Sequence, residues 1–122
     1  MSRQSFPVLM DQPGAKLATF RIDGSAVGAT SGSDGLDGRG KFLCNIKKSS
    51  NTVTIDWLVA FGDEPEVFFQ PAAGQTDTIV EITTNSKSQL VFDTVKATDG
   101  TAQADADLIV FVVGYNTESF VS

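Results

Sequence analysis

Three small groups of carboxylates are the residues of this 122-residue chain whose types and spacing could do chemistry: Asp63, Glu64 and Glu66; Asp105 and Asp107; Asp34 and Asp37. Paired carboxylates divide general-acid and general-base work when their surroundings push their pKa values apart. The first two groups sit in loops or at strand ends among small and polar residues, with nothing apolar to raise a carboxyl pKa, so they read as solvated acids. Asp34 and Asp37, each followed by glycine, have the short spacing of carboxylates that wrap calcium. They lack the third and fourth oxygen ligands and the terminal Glu of a helix-loop-helix site, and an Asp-Gly turn needs no ion. The chain has no histidine, which removes both the usual general base and the commonest zinc ligand. A serine or cysteine nucleophile would lack its ordinary activator. The expectation is a non-enzymatic protein with no catalytic residue, no cofactor and no metal site.

Two aromatic residues and one thiol complete the candidates. Trp57 could stack on a sugar, but it shares a two-residue period with Val53, Ile55, Val59 and Phe61, which reads as core. Tyr115, between Gly114 and Asn116 at the end of an apolar run, is the better candidate for an exposed aromatic. Cys44, the single cysteine, alternates with Phe42 and Ile46 and reads as a buried structural thiol.

The elements that must position these residues are strands. Residues 52–61 put Val53, Ile55, Trp57, Val59 and Phe61 on every second position, opposite Thr52, Thr54 and Asp56. Gly62-Asp63-Glu64-Pro65 is read as the turn of a hairpin into residues 66–70. Further strands are expected at 17–23 (Ala18, Phe20 and Ile22 on one side), 41–48, 78–84, 89–96 and 108–115, with a short edge piece at 26–29. The glycine-rich residues 30–40 read as a mobile or ligand-ordered loop. Turns every eight to twelve residues and no long helical period give the fold class: an all-β antiparallel sandwich, jelly-roll or immunoglobulin-like, of seven or eight strands. One domain is expected over 17–122, preceded by an extended N-terminal arm at 1–16.

The arm carries Phe6, Val8, Leu9 and Met10 outside any period, and such residues must pack either on their own sandwich or on a neighbouring subunit. The arm is expected to anchor the protein to its partner. A second apolar excess lies in Leu108-Ile109-Val110-Phe111-Val112-Val113, six consecutive apolar residues where a half-wet strand would alternate. Ile109, Phe111 and Tyr115 are therefore expected to contact a partner, and a homo-oligomer is expected, a trimer in preference.

The net charge of −6 is unevenly spread: residues 1–55 carry a net +3 and residues 56–122 a net −9. No basic face dense enough for nucleic acid is present. No run reaches membrane-span length, and the N-terminus lacks a signal-peptide core, so neither nucleic acid nor membrane is an expected partner.

One stretch, roughly residues 40–116, resembles a known group. It runs from a polar strand turn through Val53-Thr54-Ile55-Asp56-Trp57 and Ala60-Phe61-Gly62-Asp63-Glu64-Pro65-Glu66-Val67. A Thr-rich strand, a strand centred on Phe92 and an apolar strand into Gly114 follow. The pattern is similar to the small β-sandwiches of bacteriophage virions, namely tail-fibre tips, capsid decoration (cement) proteins and their H-type lectin relatives. The resemblance implies a virion protein made in the host cytoplasm. Its partner would be the major capsid protein or another virion protein, with decoration of the head as the leading expectation. A receptor- or glycan-binding fibre or adhesion module is the alternative.

Overall fold

Alternation along the strands decides which side chains meet. The computed structural model describes residues 15–115. In it β1 (Ala15–Ile22) turns Phe20 and Ile22 inward, while β2 (Cys44–Ser49) turns Cys44 and Ile46, and β3 (Thr52–Trp57) turns Val53, Ile55 and Trp57. β4 (Glu66–Pro71) and β5 (Ile79–Asn85) are less buried; β6 (Gln89–Val95) and β7 (Leu108–Tyr115) alternate strictly. A four-residue helix, α1 (Gly38–Lys41), is the one helix among the described residues.

The strands form two antiparallel sheets, one ordered β1-β7-β4 and the other β2-β3-β6-β5. The described residues form an all-β sandwich of seven strands. Phe20, Phe92, Ile55, Leu90 and Val110 are fully buried between the sheets. Two aromatic contacts tie the layers together, Phe20 with Trp57 at 6.3 Å and Phe69 with Phe92 at 4.6 Å, and Phe61 from outside the sheets meets Trp57 at 5.4 Å.

Six sequence expectations need correction. The strand expected over 52–61 ends at Trp57, and Leu58, Val59 and Ala60 are exposed. No hairpin joins β3 to β4, since they belong to different sheets. Residues 58–65 instead cross the end of the sandwich, where Phe61 N–H donates to the Lys87 carbonyl (2.9 Å) and Gly62 N–H to that of Tyr115 (2.6 Å). The strand expected from Lys41 begins at Cys44, because α1 intervenes, and this turns Phe42 away from Cys44 and leaves it 85% exposed. Residues 26–29 form no strand, although Val27 is buried.

The fifth correction concerns residues 30–40, which are pinned to the sandwich. Gly32 and Ile46 exchange backbone hydrogen bonds (3.1 and 2.8 Å), Asp23 N–H donates to Gly35 O (2.8 Å), Asp37 N–H donates to Arg21 O (3.2 Å), and Leu36 is buried. Gly35 adopts φ +90°, a left-handed conformation, and a Cβ there would come within 2.5 Å of Val27. Strand β1 also starts at Ala15, so the last two residues of the expected arm belong to the sheet.

Lys48 holds the opposite end of the sandwich. Its ammonium donates to the carbonyls of Gly24 and Ala104 (2.7 Å to the latter) and pairs with Asp105 at 3.3 Å, with the side chain 12% exposed. Lys48→Met is expected to cost about 2–3 kcal/mol, because two carbonyls lose a charged donor. Urea denaturation of the two proteins measures this, and a difference below about 0.5 kcal/mol would reduce the contact to a surface ion pair.

A candidate protein-docking surface

Four of the seven carboxylates considered for chemistry accept hydrogen bonds or ion pairs within the fold. Asp37 caps α1, accepting from Gly40 N–H at 2.9 Å. Asp107 accepts from Gly24 N–H (3.1 Å), Asp105 pairs with Lys48, and Asp63 accepts from Glu64 N–H (2.9 Å). Asp23 and Asp99 are held below the usual carboxylate range, Asp23 foremost by the Ser25 hydroxyl and Asp99 by the Thr101 backbone N–H. That direction suits a solvated hydrogen-bond acceptor rather than a general acid. Among the described residues no group of three His, Cys, Asp or Glu could hold a metal ion, and no helix is long and apolar enough to cross a membrane.

Cys44 is fully buried, its thiol 3.7 Å from Gly40 O. Burial, helped by the negative charges of Asp37 and Asp56, pushes its pKa up to about 12. The thiolate that would react is thus absent from the folded protein at neutral pH. Below pH 9 both the folded and the unfolded chain keep this proton; above it the unfolded chain loses it first. Stability is therefore expected to fall between pH 9 and about 12, at up to about 1.4 kcal/mol per pH unit. Urea midpoints at pH 8 and about pH 10.5, with Cys44→Ala lacking this part of the slope, check the assignment.

What remains exposed and unexplained is apolar. The outer face of the sheet β1-β7-β4 is built from three cross-strand rows: Leu17–Val113–Glu66, Thr19–Phe111–Phe68 and Arg21–Ile109–Gln70. The inward residues of β7, Leu108, Val110 and Val112, are buried, so Ile109, Phe111, Val113 and Tyr115 fall on the outer side, half-buried by their neighbours. Phe68 stands beside Phe111 and is 59% exposed. Arg21 at one corner and Glu66 at the other give the face a polar rim of both signs, the anatomy of a protein contact.

The structure places Ile109, Phe111 and Tyr115 on one face of one strand. Phe6, Val8, Leu9 and Met10 lie outside the described residues. Sequence reasoning missed Phe68 and Leu17, since each lies in a strand whose alternation says which residues share a face but not which face is covered. Trp57, only 7% exposed, is core. No protein-family model, no curated protein and no solved structure matches this chain.

Proposed function

We propose that this chain is a non-enzymatic structural protein of a bacteriophage virion, a decoration protein that assembles on the outer surface of the head, with the major capsid protein as partner, and reinforces it. The observation that carries the assembly role is the outer face of β1-β7-β4, where Phe68 and Phe111 are cross-strand neighbours in a half-exposed apolar strip. Such a strip on a soluble domain marks a contact surface. The occupied carboxylates and the buried, unreactive Cys44 fit a binding role. The virion setting rests on the resemblance of residues 40–116. Copies joined through this face form a homo-oligomer, a trimer in preference, since closed rings satisfy apolar faces without leaving any open.

The test is add-back. Particles from the source of the sequence are stripped of this protein, incubated with it and sedimented. Recovery with the shell at a fixed stoichiometry, and shells that then resist heat better, are the expected results. Protein that stays in the supernatant, or that binds glycan-coated beads instead of shells, would overturn the decoration reading.

A further inference from the structure

A second apolar surface lies at the end of the sandwich where β1 begins and β7 finishes, the end at which Ala15 pairs with Tyr115. It is a trough made of two adjoining cavities of about 260 and 490 Å³, both lined by Leu17, Ala18, Phe42 and Leu43. The smaller one is closed by Trp57, Val59 and Phe61. Four of the seven exposed large hydrophobic side chains among the described residues, Leu17, Phe42, Leu58 and Val59, belong to this end, at 50, 85, 51 and 60% exposure. Gly114 shapes it: a Cβ there would come within 2.7 Å of the Phe61 ring, so only glycine lets that ring lie across the end of β7.

We propose that this trough is the binding site for the chain's own N-terminal segment, with Phe6, Val8, Leu9 and Met10 as the side chains that fill it. The proposal does not depend on the virion reading. Fourteen residues precede Ala15, and the last two, Pro13-Gly14, are the pair favoured at the centre of a type II turn, which reverses the chain. A reversal at that point sends the preceding residues back toward Leu17 and Ala18, which line the trough within three residues of Ala15. At roughly 3.4 Å per extended residue, the three residues from the reversal at Pro13 back to Met10 reach about 10 Å, the distance between the two sheets whose end they would cross. A tethered segment meets its site at an effective concentration on the order of millimolar, which a second copy at micromolar concentration does not match.

The lining fits the proposed side chains: Leu17, Ala18, Phe42, Leu43, Val59 and Phe61 offer an apolar surface to Phe6, Val8, Leu9 and Met10. Of the two destinations that the sequence leaves open for the arm, its own sandwich and a neighbouring subunit, the trough favours the first.

Two measurements on the full-length protein test this. Leu9→Cys with Val59→Cys is expected to form an intramolecular disulfide under mild oxidation, seen as a faster-migrating monomer on a non-reducing gel. Leu9→Cys with Ala97→Cys, at the opposite end of the sandwich, is not. Separately, deletion of residues 2–14 is expected to shift the emission of the sole tryptophan to the red and lower the Tm by about 5–10 °C. Val59→Asp, at an exposed position that tolerates the change, should reproduce much of that shift in the full chain and add little to the deletion. A disulfide that forms only between chains would place the arm on a second copy. Equal rates for both cysteine pairs, or deletion and Val59→Asp effects that simply add, would show that the trough holds something else. Each of these results overturns the proposal.

Discussion

Phe92→Ala is expected to remove about 3–5 kcal/mol of stability, a large part of the roughly 5–15 kcal/mol that holds a domain folded. Phe92 has no exposed surface, sits at the centre of β6 opposite Val53 and Ile82, and packs at a tilt against Phe69 of the other sheet at 4.6 Å. Truncation opens a cavity that neighbours in both sheets would have to collapse into, and those neighbours are fixed by backbone ladders on either side. Urea denaturation at neutral pH measures the loss, with Phe68→Ala as the control at a 59% exposed position of β4. If the two substitutions cost the same, Phe92 is not in the core that joins the sheets.

Phe111→Lys should give the opposite profile, with a retained fold and lost assembly. Phe111 lies on the outer side of β7 between Thr19 and Phe68, so a lysine there can extend into water, yet it places a charge in the middle of the proposed contact. Central aromatic residues of a protein contact are worth about 2–4 kcal/mol, which weakens assembly roughly 30- to 1,000-fold. Val110→Lys, one residue away, points into the core with no exposed surface and should unfold the protein. Sedimentation velocity at micromolar concentration, with circular dichroism on each variant, separates the two. A wild-type protein that sediments as a monomer would remove the oligomer from the account, and a Phe111→Lys protein that assembles normally would move the contact to another face.

The strands with the clearest register in the sequence are those whose two faces see different surroundings. In β6, Leu90 and Phe92 alternate with Val91 and Asp93, and in β1, Phe20 and Ile22 alternate with Thr19 and Arg21; both emerge with the expected residues buried. The bounds of β7 are also those expected, because six consecutive apolar residues mark a strand wanted on both sides. What sequence pattern does not carry is which sheet a strand joins. Residues 52–61 and 66–70, separated by a turn-forming cluster, look like neighbours because consecutive strands usually pair. Hydrogen bonds from Phe61 and Gly62 to Lys87 and Tyr115, residues far along the chain, instead route the connection between the sheets.

The same limit explains the candidate surfaces. Val59 and Phe61 continue the period of Val53, Ile55 and Trp57 by coincidence of spacing, since the strand has already ended. Phe42 falls in step with Cys44 only if no helical turn intervenes, and Asp37, capping Gly40, starts one. Periodicity holds only within an element, and the residues that line the trough sit where elements stop.

Pairing β1 with β7 has a consequence for how the chain is made. Strands β2, β3, β6 and β5 span residues 44–95 and complete their sheet from consecutive or nearly consecutive segments. In the other sheet β7 is central, so neither β1 nor β4 has its partner until β7 has left the ribosome. Synthesis at about 5–20 residues per second leaves β1 and β4 waiting for seconds with Phe20 and Phe69 uncovered. Such distant pairings also make folding slow. The nascent protein therefore presents a finished four-stranded layer with a bare apolar face before the second layer closes over it, and it is during that interval that chaperone capture or aggregation would decide the yield.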